Sequence, residues 1–383
     1  MTSDTEHIPF NKPFISGKEL EYIGRAVHEH EHLSGNGPFT HRCQEWLEKR
    51  LGCRHALLTH TCTAALEMAV LLAEIGDGDE VIMPSFTHVS TANPFVLRGA
   101  VPVFVDIRPD TLNIDERLVE QAITTRTRAI VPVHYAGVGC SMDALANIAE
   151  HRDLIIIEDA AMGLLATQGG RFLGTIGQMG CISFHETKNV ICGEGGALLI
   201  NDDRFMERAD IILEKGTDRR RFNRGEVDKY TWVDIGSSYS PGELTAAFLC
   251  AQFEQADTIM SHRRELFTTY SRILSPLANT GAYRIPPHET HESGNCHIFY
   301  LIMNTREERE GLIQHLAGQS IHAVFHYVPL HSSKAGKRFG RVSGTMKHTD
   351  SLSDRILRLP LYNSMTPSEV TRVAEAVAAF FSQ

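Results

Sequence analysis

The sequence predicts an α/β fold, with a large domain on a mostly parallel central sheet and a smaller α+β domain after it. Three observations carry that prediction. From residue 56 to 202 short apolar runs alternate with helical patterns, the rhythm of successive β-α-β units. Within that region Leu154-Ile155-Ile156-Ile157 is wholly apolar, as expected for a strand covered on both faces. The composition then turns charged and turn-rich at 215–236, and the chain beyond it reads as mainly helical. The division expected is a large domain over 1–250 and a small C-terminal domain over 251–383.

The elements follow in order. Good helix formers over 63–75 predict a helix that Gly76 ends. A strand at 80–83 stops at Pro84, and another is expected at 100–106. The stretch 115–124 is amphipathic, and 128–134 reads as a strand. A helix over 141–151 takes Ser141 as its cap. Strands are then expected at 154–157, 181–184 and 197–200. One long helical pattern runs from 243 towards 274. Beyond 283 only 297–303 and 322–328 read as strands, with helical patterns beside them and Thr366 capping the last helix. No internal repeat or low-complexity segment interrupts this order.

Composition limits the function. The 383 residues suffice for a large hydrophobic core. A net charge of -10 argues against nucleic acid or an anionic membrane as the main partner, because both require a broad basic surface. The start Met1-Thr2-Ser3-Asp4-Thr5-Glu6 is polar and acidic, unlike a signal peptide, and no apolar run reaches membrane-span length. The eight cysteines form no C-x-x-C pair, so reduced core residues and a cytoplasmic location are expected. The cluster His28-Glu29-His30-Glu31-His32 finds no matching ligand group elsewhere, so it reads as a solvated helix end and no metal is expected.

Chemistry concentrates at two strand ends. Lys188 follows the apolar run Met179-Gly180-Cys181-Ile182, and Asp159 closes the run at 154–157. A lysine amine that condenses with an aldehyde, and a carboxylate that keeps a pyridine nitrogen protonated, are what pyridoxal phosphate requires. Taken singly, each residue is more often a surface lysine or a strand-end cap. Their pairing, together with phosphate holders, favours the cofactor. His60-Thr61-Cys62-Thr63 feeds a helix whose N-terminal amides suit a phosphate, with the Thr63 hydroxyl as a further donor. Ser183 offers a second hydroxyl five residues before Lys188. Phe86, after the strand at 80–83, is placed to stack on a planar ring or to fill the core. Gly193-Glu194-Gly195-Gly196 permits close backbone approach but leads into a strand, so it is not read as a phosphate loop. The mixed-charge run from Lys215 to Lys229 reads as a solvated loop whose arginines can also grip a diphosphate.

With these residues in view, the chain resembles the sugar aminotransferases of the DegT/DnrJ/EryC1/StrS family, within the fold-type I pyridoxal phosphate enzymes. The resemblance rests on Ser34-Gly35-Asn36-Gly37-Pro38, Thr63-Ala64-Ala65-Leu66, Pro84-Ser85-Phe86-Thr87, Glu158-Asp159-Ala160-Ala161, Ser183 to Asn189, and Gly193 to Gly196. It implies that Lys188 binds the cofactor and shuttles the proton, and that Asp159 pairs with the pyridine nitrogen. It further implies that Phe86 stacks on the ring and that Ser183, Thr63 and the backbone near Cys62 hold the phosphate. Members are homodimers with shared active sites, and Ser238 matches a position that reaches the partner's phosphate.

The stretches Asp228-Lys229-Tyr230-Thr231-Trp232, Asp234 to Tyr239 and Val324-Phe325-His326-Tyr327 resemble one subgroup more closely. Those members move an amino group from glutamate to C4 of a dTDP-4-keto-6-deoxyhexose, giving the 4-amino-4,6-dideoxygalactose product for surface polysaccharide. Arg219, Arg224, Lys229 and Tyr230 are then candidates for the nucleotide, and His326 and His331 for the sugar. Two departures stand out. Met162 occupies a cofactor-side position usually held by glutamine or histidine, so a polar contact is expected to be lost. The segment Ser240-Pro241-Gly242-Glu243-Leu244-Thr245-Ala246-Ala247 also differs from the usual pattern. Lys188 itself is intact, which argues against the dehydratases of the group, where histidine replaces it. Two rivals stay open: a family enzyme for another keto-sugar or the gluco product, and a non-catalytic sugar-nucleotide binder suggested by Met162.

Overall fold

Eight strands order the core. The computed structural model describes residues 6–382, so the polar start at 1–5, on which the signal-peptide reading rests, lies outside the described residues. The main sheet runs His55–Thr59, Gly196–Ile200, Met179–Ser183, Ile155–Asp159, Thr127–Ile130, Glu80–Pro84, Val101–Val105 and Arg341–Val342. Every neighbouring pair is parallel except the two made by Gly196–Ile200. Strands such as Glu80–Pro84 and Met179–Ser183 are buried along their whole length, because helices cover both faces. Val81 and Met83 face one helical layer with Ala65, Leu66 and Phe95. Ile82 faces the other, with Val119, Leu145 and Ala149. That alternation is the period of two that a strand imposes.

The small sheet is antiparallel, in the order Tyr283–Arg284, Phe299–Met303, Ile356–Leu359, Val324–Phe325. Phe299, Leu301 and Met303 pack outward with Tyr270, Val370 and Val373 from its covering helices. Tyr300 and Ile302 point the other way, into a cluster with Phe86, Ile107 and Tyr135, which follow strands of the large sheet. One strand thus joins its own helices to the neighbouring domain.

Several elements differ from the sequence reading. Ile356–Leu359 was not expected as a strand, because Arg358 interrupts its apolar run. The pattern over 243–274 is two helices, Glu243–Glu254 and Ala256–Ala278, broken at Gln255. Ser141 stands at the cap position but makes no capping bond, whereas Thr366 forms a full capping box with Glu369. The chain ends also cross over: Arg341–Val342 joins the large sheet, and Ile8 bridges to Ile321 beside the small one.

Glu243 explains the unusual 240–247 segment. Its fully buried carboxylate accepts from the amides of Gly37, Phe39 and Thr40 at 3.1, 2.8 and 3.0 Å and from the Thr40 hydroxyl. It neutralises the start of the Pro38–Leu51 helix, where free N–H groups and the dipole favour an anion. Glu243→Ala leaves those donors buried and unpaired, so stability should fall by about 3 kcal/mol. A denaturation midpoint unchanged from the parent would refute this account.

Candidate active site

A cleft of about 840 Å³ opens where the parallel strands end, with the small domain as its far wall. Ligands of open α/β sheets collect at this edge. Asp159 and Ser183 are the last residues of their strands and both line the cleft. Cys62, Thr63, Met162, Lys188 and His326 line it as well.

Lys188 sits on a loop tied at both flanks. The Lys188 amide donates to the His185 carbonyl at 2.8 Å, and the Cys192 amide to the Phe184 carbonyl at 2.8 Å. Next in the chain, the Asn189 side chain donates to the Asn295 carbonyl at 2.9 Å and meets His297 Nδ1 at 2.8 Å. The backbone is therefore held while the Lys188 amine has no hydrogen bond or ion pair among the described residues. Burial pushes its pKa down, and the Cys62 and Asp159 side chains oppose that shift. A lysine displaced towards the neutral form is a better nucleophile and base.

Asp159 is held by a relay. Thr91 Oγ1 donates to Asp159 Oδ2 at 2.6 Å, and the Ala161 amide reaches Oδ1 at 3.2 Å. Thr87 Oγ1 lies 2.6 Å from Thr91 Oγ1. With the Thr91 hydrogen committed to the carboxylate, Thr87 is the donor of that pair. Thr87 precedes the helix Val89–Leu97 and Thr91 lies in its first turn, so the segment after Pro84 orients the acid.

The phosphate end is a helix start. The cap of Cys62–Leu72 is Thr61, not Thr63: Thr61 Oγ1 accepts from Ala64 at 3.0 Å. That leaves the Cys62 and Thr63 amides without intrahelical partners and the Thr63 hydroxyl free towards the cleft. Gly196 lies directly behind this turn. A Cβ there would strike the Cys62 nitrogen and the Thr61 carbonyl carbon, so only glycine lets the strand approach so closely.

The remaining candidates divide. His326 Nδ1 is 2.8 Å from Tyr135 Oη, and burial holds its pKa well below the usual value. Met162 keeps one polar role, its sulfur accepting the Ala136 amide at 3.3 Å. Phe86 does not line the cleft; it is 1% exposed and packs on Tyr135 and Tyr327. The ring presented there is His88, two residues on. His331 also stays outside, with Nδ1 2.7 Å from Ser85 Oγ and Nε2 3.2 Å from Asp350, bracing the two domains. Arg219 lies over the Tyr230 ring, Arg224 pairs with Glu226 at 2.5 Å, and Lys229 is exposed. None of these four lines the chain's own cleft. Ser238 is exposed, and its carbonyl is 2.8 Å from His60 Nε2.

Sequence reasoning passed over Thr91, His88, Tyr327 and Arg358. His88 directly follows the quoted Pro84-Ser85-Phe86-Thr87, and Tyr327 closes the quoted stretch Val324-Phe325-His326-Tyr327. Tyr327 has a φ of 39°, a conformation costly for a bulky residue and common at functional sites, which no sequence pattern reveals. The donor set fits pyridoxal phosphate: an unpaired lysine, a fixed carboxylate, and free amides with hydroxyls for the phosphate. Among the described residues no group of His, Cys, Asp or Glu is arranged to hold a metal, and no helix is long and apolar enough to cross a membrane.

Comparison with known proteins places the chain in a family. The profile of the DegT/DnrJ/EryC1/StrS aminotransferase family matches residues 15–378. An uncharacterized protein of Methanocaldococcus jannaschii, MJ1066, is 33% identical over 91% of each chain. The spore coat polysaccharide biosynthesis protein SpsC of Bacillus subtilis is 32% identical over 97% of this chain and 96% of its own. The putative sugar aminotransferase Spr1654 of Streptococcus pneumoniae, solved in a PMP form, superimposes with a TM-score of 0.90 at 26% identity, over 98% of this chain and 99% of its own. The chain belongs to the DegT/DnrJ/EryC1/StrS aminotransferase family and is a fold-type I, pyridoxal phosphate-dependent aminotransferase.

Proposed function

We propose that the enzyme moves the amino group of glutamate to C4 of dTDP-4-keto-6-deoxy-D-glucose, giving dTDP-4-amino-4,6-dideoxygalactose for surface polysaccharide, in the cytoplasm. The observation that carries the transamination chemistry is the unpaired Lys188 amine in a cleft it shares with the fixed Asp159 carboxylate. Pyridoxal phosphate, when bound, supplies the electron sink that makes the donor's Cα–H acidic. Lys188 Nζ takes that proton and delivers it, reversing the sequence for the keto-sugar. Asp159 keeps the ring nitrogen protonated. Cys62, Thr63 and Ser183 hold the phosphate. The sugar assignment is supported by the subgroup stretches around Lys229, Ser238 and His326, and by relatives named for sugar or polysaccharide work.

The working unit is a homodimer with shared sites. Trp232 is 80% exposed, and Tyr230, Val233, Ile235 and Leu244 are exposed nearby in sequence. Such an apolar surface favours cover by a second copy. Arg219, Arg224, Lys229 and Ser238 lie away from their own cleft, as residues serving the partner's cleft would.

Purified holoenzyme should be yellow and lose that colour with glutamate. Incubation with the dTDP-keto-sugar should then yield one amino sugar, with a small H3–H4 NMR coupling that marks the axial amine. A large coupling would assign the gluco product instead. A colourless protein that binds the nucleotide sugar but not the cofactor would make it a binding protein.

A further inference from the structure

We infer that His55 is a positioning residue for the shared site: its ring bridges Glu48 and Asp210 and so holds the root of the 214–238 arm assigned above to the partner's cleft. His55 opens the edge strand His55–Thr59 of the main sheet. Its Nδ1 lies 3.0 Å from Glu48 Oε1 and its Nε2 3.0 Å from Asp210 Oδ1. Each of those oxygens already accepts another hydrogen, from the Ala56 amide and from Arg220 respectively. Neither oxygen donates, so both ring nitrogens must carry a proton, which only the imidazolium does. Burial opposes that charge, but the Asp210 and Glu48 carboxylates outweigh it and raise the His55 pKa, against the pull of Arg220.

The bonds continue from Asp210 into the arm. Arg220, on the helix Arg219–Asn223, pairs with Asp210 through Nη1 and donates through Nη2 to Asn36 Oδ1 at 3.2 Å. Asn36 has a φ of 65°, and its side-chain nitrogen donates to the Glu214 carboxylate. Glu214 stands where the arm leaves the large domain, and it bridges to Ser238 where the arm returns. Between them the two limbs pair: the Lys215 amide donates to the Ser237 carbonyl at 3.0 Å and the Val233 amide to the Gly216 carbonyl at 2.8 Å. The other end of the same edge strand holds the returning limb. There the His60 amide donates to the Tyr239 carbonyl at 3.0 Å, and His60 Nε2 donates to the Ser238 carbonyl. Arg219, Arg224, Lys229, Tyr230 and Trp232 all ride on this arm.

The groups around His55 do not replace it. A cavity of about 370 Å³ beside the ring is lined by Met206, Glu207, Asp210, Arg221, Arg224 and Glu226. Arg221 and Arg224 are taken by Glu226, and Arg54, one residue before His55, pairs with Asp203. Among the described residues Arg220 is then the one other cation on Asp210, and no other cation pairs with Glu48. A histidine held charged by its partners contributes fully below its ordinary pKa and loses that contribution as pH rises through the raised one. Neutral His55 keeps a single N–H, which leaves one carboxylate facing a ring lone pair, and the arm root loosens. Sugar-nucleotide binding should therefore weaken at alkaline pH through His55. The donor half-reaction, which uses Lys188 and Asp159, should not follow it.

This inference rests on the arm serving the partner's cleft, and two readouts separate the clamp from that reading. Trp46 and Trp232 are the chain's two tryptophans, so Trp46→Phe leaves Trp232 as a reporter on the arm. In that background, acrylamide quenching is followed from about pH 6 to about pH 9 in cofactor-loaded dimer of the parent, His55→Gln and His55→Arg. Arginine offers two-point contact and keeps its charge throughout. Quenching of the parent should climb with pH to the level of His55→Gln, while His55→Arg stays low. The keto-sugar KM should rise with it by about 3- to 10-fold, with bleaching by glutamate alike in all three proteins. Parallel quenching profiles of the parent and His55→Gln overturn the clamp. So does a His55 ring signal, assigned by its loss in His55→Gln, that titrates by NMR at or below the ordinary histidine range. Quenching that responds as expected beside a keto-sugar KM that does not refutes the arm's service to the partner's cleft, and with it the role of His55 at the shared site.

Discussion

Lys188→Gln should leave a folded dimer that loads the cofactor non-covalently and turns over about 10,000-fold more slowly. The size of the loss follows from the lysine's two tasks. It anchors the cofactor, and it carries the proton in both half-reactions. No hydrogen bond or ion pair of the described chain uses its side-chain nitrogen, so removing it breaks no contact. The loop stays in place through the His185 carbonyl and the Asn189 side chain. Stability should therefore hold or rise slightly, because a buried amine that is displaced from its charged form is a cost to the fold. Steady-state turnover, cofactor absorbance and thermal melting separate these effects. Small primary amines added to the solution should restore part of the proton transfer. Turnover within tenfold of the parent would refute the assignment of Lys188 as the proton carrier.

Asp159→Asn is the second large effect, a loss of about 1,000-fold in turnover. Asparagine nearly matches aspartate in shape, and Thr91 can still donate to its oxygen. What it removes is the negative charge facing the ring nitrogen, hence the preference for a protonated pyridine and its capacity to accept electrons. It also places an amide N–H₂ where the Ala161 amide now finds an acceptor. Thr91→Val provides the contrast: the charge stays but loses its 2.6 Å tether, so the loss should be about tenfold. The diagnostic readout is a cofactor analogue with a permanent positive charge at the ring nitrogen. It should recover most of the Asp159→Asn loss and little of the Lys188→Gln loss. If the analogue rescues neither, Asp159 acts through packing and not through charge.

Much of the site was legible because its residues sit in local patterns. An apolar strand that ends in an acid, a strand that ends five residues before a lysine, and a threonine turn entering a helix are all contiguous signals. Errors arose where local and spatial neighbours differ. Phe86 and His88 lie on the same short segment after Pro84, but only His88 faces the cleft. No local pattern told Thr61 from Thr63, yet Thr61 caps the helix and leaves Thr63 for a ligand. His331 and His326 are five residues apart, yet one braces Ser85 and Asp350 while the other meets Tyr135 inside the cleft. Arg358 escaped notice because a charged residue interrupts the run that would have marked its strand.

By itself the sequence determined the α/β class, the family, and the pairing of Lys188 with Asp159, because these depend on hydrophobic period and on motifs a few residues long. Only the tertiary structure decided which rings line the cleft, which hydroxyls orient Asp159, and that Arg358 lines the cleft with no carboxylate partner among the described residues. Those properties come from contacts between distant segments: 91 with 159, 10 and 325 with 358, and 135 with 326. A side chain's partners, and so its charge state and its freedom to bind, are set when the two sheets close on each other.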